Sequence, residues 1–320
     1  MSGRKGIEML IEQLGDPSRC NQALLGLLVK GESAVPAMAR FLNSSKPSSL
    51  PEARLLAVEG LSILKGPEAL DALIGVARQR LASIPDPLIR LGEETVASRS
   101  ARALAEFSDE PRVVDTLLEL LKGKPLIGVA EAFTKLKDPR AIPGLVSWLE
   151  EDFVAEAVRQ AIVAYGDTAV PVLLDSLRYK QIRNGSETGA SQRRRARLLE
   201  IICDLAKPAC LDGLEDLPDD AVDRVRWNAV RLFFDKGSIA QQRRAFRVGM
   251  KFLDSSDNLL RAECEDLLLS HFRSGRDLIH KEIQRRRIMG EPAENLQPRE
   301  TTLAILQRIF RKGSEVNKQG

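Results

Sequence analysis

The stretch AEAFTKLKDPRAIPGLVSWL, residues 130–149, predicts two amphipathic helices joined by a short turn. The apolar residues of the first helix recur on one stripe, and these are Ala130, Phe133 and Leu136. Those of the second helix do the same, and these are Ala141, Ile142, Leu145 and Leu149. Asp138-Pro139 lies between the two, and proline suits the start of a helix but not its interior. The stretch therefore predicts a helical hairpin with one apolar face.

The composition of the whole chain favours the same kind of structure. Of 320 residues, 43 % are hydrophobic but only 4 % are aromatic, a balance typical of closely stacked helices rather than of sheets. The longest apolar run, residues 23–29, is far shorter than the roughly 20 residues that span a bilayer. The first residues lead directly into a charged amphipathic helix, without the apolar segment of a secretory signal. We therefore expect an all-α protein that is cytoplasmic and has no membrane partner.

The hairpin pattern recurs along the chain. A short apolar pair marks the start of each second helix, and these anchors begin at residues 34, 69, 113, 141, 169 and 210. The intervals between anchors are 35, 44, 28, 28 and 41 residues, which indicates a 28-residue unit lengthened in places by insertions. A glycine or proline turn signal precedes each anchor. The chain thus reads as a row of helix pairs.

These residues resemble a known repeat. The segment DPRAIPGL at 138–145, which follows an Ala-rich helix, resembles the short HEAT repeat of phycobilisome-lyase-like proteins. The resemblance covers about residues 20–217 and is closest at the units anchored at 141 and 169. It implies a right-handed superhelical solenoid of stacked antiparallel helix pairs, a fold associated with binding other proteins.

The repeat spacing also predicts how the chain is organised. We expect HEAT-like repeats over residues 1–217, with insertions at 43–52, 78–98 and 178–192. The last of these insertions is rich in glycine and serine, and we expect it to be mobile without a partner. From residue 218 to 320 the spacing lengthens, which predicts degenerate helical repeats and a C-terminal capping helix, continuous with the first part.

Aligning the second helices places one side chain of each beside the apolar core stripe. The apolar members of this set form a candidate partner groove on the concave face, and they are Phe41, Val76, Leu120, Trp148 and Leu217. The alternative is that they only pack one repeat against the next. Tryptophan is enriched at interface hot spots, so an exposed Trp148 would be the best candidate for a partner-binding anchor.

Charge is uneven along the chain. Residues 1–177 contain 20 Lys and Arg against 24 Asp and Glu, whereas residues 178–320 contain 28 against 21. Arginine clusters in the second part form a candidate basic patch, and they are Arg193, Arg194, Arg195, Arg197, Arg243, Arg244, Arg247, Arg285, Arg286 and Arg287. Arginines that share one face could bind phosphates or an acidic partner. Alternatively, they are solvated helix faces neutralised by nearby carboxylates.

Catalytic and metal-binding patterns are weak. Cys20, Cys203, Cys210 and Cys264 lie among apolar helical residues, which favours reduced core thiols. The spacing of Cys203 and Cys210 is not a zinc spacing, and the chain has two histidines, His271 and His280. The sequence contains neither a Gly-rich phosphate loop nor a nucleophile elbow. We expect no catalytic residue, no metal site and no cofactor.

Three hypotheses of function follow. The preferred one is a non-catalytic protein–protein interaction scaffold that binds a protein partner on its concave face. The resemblance implies a second, a bilin lyase-like or chromophore-handling factor, although no motif diagnostic of bilin attachment is identifiable. The third is nucleic-acid binding through the basic C-terminal half. The sequence leaves the partner and the oligomeric state open.

Overall fold

The computed structural model describes residues 2–44, 46–291 and 300–319, and helices make up nearly all of their regular structure. This confirms the all-α prediction. Contacts divide the chain into an N-terminal unit, Met1–Val172, and a C-terminal unit, Leu173–Gly320. The predicted change of spacing at residue 218 therefore lies well inside the C-terminal unit.

The N-terminal unit consists of two rows of helices. Its helices are α1 (Ser2–Gln13), α2 (Cys20–Lys30), α3 (Val35–Ser44), α4 (Glu52–Leu64), α5 (Pro67–Ala77), α6 (Pro87–Leu104), α7 (Pro111–Leu120), α8 (Ile127–Leu136), α9 (Ile142–Trp148) and α10 (Ala155–Ala164). One row is made by α2, α4, α6, α8 and α10, packed in that order, and the other contains α1, α3, α5 and α7. Helices of the two rows also pack in pairs, as α3 does with α4 and α5 with α6. This is the stacking of helix pairs that a helical repeat requires.

The stretch at 130–149 forms the predicted hairpin. Helix α8 ends at Leu136, a short 3-10 turn follows at Pro139–Ala141, and α9 begins at Ile142. The Asp138 side chain accepts a hydrogen bond from the Arg140 N–H at 2.9 Å, which caps the turn. The Tyr165 hydroxyl, from the end of α10, donates to the Asp138 carbonyl at 2.9 Å. One turn thus links two consecutive repeats.

The first of the two insertions in the N-terminal unit lies close to its predicted bounds of 43–52, whereas the second is shorter than the sequence predicts. The first joins α3 to α4, and the backbone N–H of Ser48 donates to the buried Glu93 of α6 at 3.3 Å. In the second, a 3-10 turn occupies Leu81–Ser83 and α6 already begins at Pro87. Asp86 caps α6, and a proline in the first turn loses no hydrogen bond. Most of the predicted 78–98 insertion therefore belongs to a helix.

The C-terminal unit contains longer helices and a small hairpin. Helix α11 (Val170–Arg178) runs across the division between the units, and the elements that follow are β1 (Ile182–Arg183), β2 (Ser186–Glu187), α12 (Gly189–Leu205), α13 (Asp223–Lys236), α14 (Ile239–Phe252), α15 (Asn258–Ser270), α16 (Phe272–Ile288) and α17 (Thr302–Gln319). Helix α13 packs on α12 and α14, while α14 packs on α16 and α15 on α17. The last helix is the one predicted to cap the chain.

The predicted 178–192 insertion is a β-hairpin followed by the start of α12. Ile182 pairs with Glu187 and Arg183 pairs with Ser186 in an antiparallel register. Asn184 and Gly185 form the turn, both with positive φ (53° and 76°), the conformation that a tight hairpin turn demands. The segment is therefore a hairpin followed by the first turn of a helix, rather than the loop that its composition predicts.

Candidate functional site

The five predicted groove residues lie in different environments. Val76 and Trp148 are each 4 % exposed, so neither side chain is available to a partner. Phe41, Leu120 and Leu217 are half-buried. Leu217 belongs to the C-terminal unit and the other four to the N-terminal unit. Trp148 is consequently a core residue. This agrees with the alternative that such residues only pack one repeat against the next.

A cavity of about 800 Å³ lies where α5 and α7 end, and Leu120 is one of its lining residues. We call it the insertion groove, because the 3-10 turn at Leu81–Ser83 forms one of its walls. Leu81, Leu120 and Leu126 are the leucines among its lining residues.

The insertion groove carries an excess of positive charge. Two ion pairs brace its walls, Arg78 with Glu119 and Lys124 with Glu94, each at 2.5 Å. Arg80 and Arg90 also line the groove, and among the described residues neither has a carboxylate within ion-pair distance. Four cations against two carboxylates leave a net charge of +2. Such a lining favours a ligand with both apolar and acidic groups.

A second apolar surface adjoins the insertion groove, with which it shares Glu94 and Leu126, and it was not among the predicted sites. Leu91 of α6, Ile127 of α8 and Phe153 are exposed and line one cavity of about 340 Å³. The predicted groove was drawn from the second helix of each pair only. Apolar residues outside the core stripe of the first helices were the signal that could have found this surface.

The ten arginines of the predicted basic patch do not form one exposed cluster. Arg194 and Arg195 are buried. Three others contact carboxylates, and these are Arg244 with Asp219, Arg285 with Glu282, and Arg286 with Asp254, Glu282 and Glu291. Arg193, Arg243, Arg247 and Arg287 are exposed and Arg197 is half-buried. Five of the ten arginines are therefore not available to a phosphate or an acidic partner, because two are buried and three form ion pairs within the chain.

Arg195 has a structural role instead. Its Nη1 donates to Glu187 of the hairpin at 2.9 Å and its Nη2 to Asp220 at 2.5 Å, while its Nε donates to the Leu177 carbonyl at 3.1 Å. Burial alone would raise the pKa of Asp220, but hydrogen bonds from Arg195, the Val222 N–H and Lys180 outweigh it and lower that pKa to about 2. This network joins the hairpin to α12 and to the chain before α13.

Neither Cys203 nor Cys264 is a reactive thiol, and the two histidines contact different aromatic rings. Burial raises the pKa of Cys203 to about 11 and raises that of Cys264 as well, so both are neutral thiols at pH 7. The His271 ring lies 5.0 Å from Phe234, whereas His280 lies 5.4 Å from Phe310. Among the described residues, no three His, Cys, Asp or Glu side chains are grouped so that they could hold a metal ion.

A comparison with protein families gives one match. The family model described as PBS lyase HEAT-like repeat matches residues 96–123. The chain contains a HEAT-like repeat. This repeat runs from Val96 in α6 through α7 to Gly123, and it contributes Leu120 to the insertion groove. The repeat type is the one predicted, although the match lies on the unit anchored at 113 rather than at 141 or 169.

No curated protein matches the chain. None of the helices within the described ranges combines the length and the hydropathy that a bilayer crossing requires.

Proposed function

We propose that this chain is a non-catalytic protein-binding protein and that a segment of its partner docks in the insertion groove. The observation that carries the proposal is the lining of the groove, in which an apolar floor adjoins Arg80 and Arg90. The HEAT-like repeat at 96–123 forms part of this lining, and helical repeats commonly bind partners on open surfaces.

The chemistry of the groove indicates the kind of partner. Leu81, Leu120 and Leu126 favour one aliphatic or aromatic side chain that can be removed from water. Arg80 and Arg90 favour acidic residues on either side of that anchor, because guanidinium–carboxylate hydrogen bonds are strong and directional. The proposed partner segment is therefore acidic with one apolar anchor. The bilin-handling alternative rests on the resemblance alone.

A photo-crosslinking experiment tests this proposal. A photoreactive amino acid replaces Ser83, which is exposed in the groove, or Glu68, which is exposed in the first turn of α5. In native extract, we expect a discrete protein adduct from position 83 and none from position 68. Adducts of the same intensity from both positions would contradict a specific groove.

The partner identified in this way is then purified for affinity measurements. We expect Arg80→Glu to weaken binding by about tenfold or more, because it places a like charge against an acidic segment. Arg99→Glu is the matched control, since Arg99 is an exposed arginine of α6 outside the groove. Equal affinities for the two variants would refute the proposed site.

A further inference from the structure

A third cavity, of about 660 Å³, lies between α16 and α17 in the C-terminal unit. Helix α16 contributes His280, Gln284 and Arg287, whose spacing of four and three residues places them on one helix face. Helix α17 contributes Gln307 and Arg311 from its own facing side. His280, Gln284, Arg287 and Arg311 are exposed and Gln307 is half-buried, so these hydrogen-bond donors border a cavity that is open to solvent.

One wall of this cavity is held rigidly. The Arg308 guanidinium donates from Nε and Nη2 to Glu265 at 2.7 and 2.5 Å, and from Nη1 to Glu300 at 2.5 Å. These two carboxylates compensate the charge of Arg308 and hold its side chain in place. Ile283, which is buried, and the half-buried ring of Phe310 add an apolar side to the same wall.

Two arginines of the lining retain uncompensated charge. Arg287 and Arg311 are exposed, and within the described ranges neither lies at ion-pair distance from a carboxylate. The neighbouring Arg285 differs, because it contacts Glu282 at 2.5 Å. The only carboxylate in the described lining is Glu300, and it already accepts from Arg308. The cavity therefore presents two available guanidinium groups.

We propose that this cavity binds a small organic phosphate monoester. Two guanidinium groups match the charge of a phosphate monoester, about −1.5 to −2 at pH 7, and the Gln284 and Gln307 amides can donate to its remaining oxygens. The cavity lies within the range of roughly 300–1,000 Å³ that is typical of small-molecule sites. The half-buried ring of Phe310 borders the same cavity, so an apolar group of the ester can pack against it. This site is independent of the insertion groove.

Calorimetric titration of the full chain with phenyl phosphate tests the proposal. We expect phenyl phosphate to bind saturably at one site and with a higher affinity than inorganic phosphate. Its affinity should exceed that of the monoanion phenyl sulfate by about tenfold or more. The double variant Arg287→Gln/Arg311→Gln should weaken phenyl phosphate binding by about tenfold or more. The matched control is Arg243→Gln/Arg247→Gln, which removes two exposed arginines from α14 and should leave the affinity unchanged. Circular dichroism verifies that both double variants fold.

Three results would overturn the proposal. The first is the absence of saturable binding to the unmodified chain. The second is an equal loss of affinity in the two double variants, which would indicate non-specific attraction by net charge. The third is tight binding of a single-stranded oligonucleotide that both double variants weaken, without binding of phenyl phosphate, which would favour a nucleic-acid surface over a small-molecule site.

Discussion

Replacing Asp220 with asparagine should destabilise the C-terminal unit strongly. The Arg195 and Asp220 side chains are 1 % and 5 % exposed, and their closest nitrogen and oxygen atoms are 2.5 Å apart. Asparagine preserves the shape of the side chain but removes its charge. Arg195 would then stay buried with Glu187, 2.9 Å from its Nη1, as its remaining carboxylate partner.

The size of the effect follows from the ion pair itself. Folding lowers the pKa of Asp220 from its ordinary value of 3.8 to about 2, and a shift of this size corresponds to a stabilisation of about 2 kcal/mol at pH 7. Removing one partner of a buried ion pair typically costs about 3–5 kcal/mol, and Glu187 offsets part of this. We therefore expect Asp220→Asn to lower the free energy of unfolding by about 2–4 kcal/mol at pH 7.

Urea unfolding monitored by tryptophan fluorescence measures this change. Trp227 is buried in the C-terminal unit, whereas Trp148 lies in the N-terminal unit. Every protein compared therefore carries Trp148→Phe, so that the fluorescence reports on Trp227 and the C-terminal unit alone. Asp219→Asn is the matched control, because Asp219 is 61 % exposed and pairs with Arg244 at the surface. The control should lose less than about 1 kcal/mol.

The pH dependence gives a second check with a defined sign. Because folding lowers the pKa of Asp220, its contribution is present above about pH 4 and disappears as the pH falls towards 2. The stability difference between the unmodified chain and Asp220→Asn should shrink over that range. Equal urea midpoints for Asp220→Asn and Asp219→Asn at pH 7 would refute the reasoning.

Two further substitutions test the packing of the N-terminal unit by thermal and urea unfolding followed by circular dichroism. Gly128→Ala should destabilise it by about 3 kcal/mol or more, because the added Cβ would lie 1.7 Å from the Ser98 carbonyl oxygen. In Gly6→Ala the added Cβ meets no atom within 4 Å, so this control should raise the free energy of unfolding by about 0.5–1 kcal/mol. Equal unfolding midpoints for these two variants would contradict the close approach of α8 to α6. Trp148→Ala should remove about 3–5 kcal/mol because the side chain is in the core, and an unchanged midpoint would show that it is not.

Local patterns in the sequence were sufficient for the helix pairs. Helical spacing of apolar residues and the Asp138-Pro139 turn predicted the hairpin that α8 and α9 form, because both signals act within a few positions of the chain. The predicted insertion at 78–98 was too long, because α6 already begins at Pro87. A proline in the first turn is compatible with a helix, and the Asp86 cap allows α6 to begin there.

The candidate sites depended on contacts between distant residues. Sequence analysis identified Leu120, but Arg80 and Arg90 join it only because the turn at Leu81–Ser83 returns beside the end of α7. The arginines of the predicted basic patch look alike in sequence. Arg195, Arg244 and Arg286 form ion pairs with carboxylates 25 to 32 residues away in the sequence, and folding is needed to bring these partners together.

The amino-acid sequence by itself therefore determined the class of fold, the repeat type and most of the helices, because helical periodicity and turn chemistry are properties of neighbouring residues. Tertiary structure alone decided that Trp148 is buried, that Arg195 holds a β-hairpin in place, and that Arg287 and Arg311 border one cavity. The physical reason is that burial and ion pairing depend on which helices pack together, and equivalent positions in successive repeats differ in those neighbours.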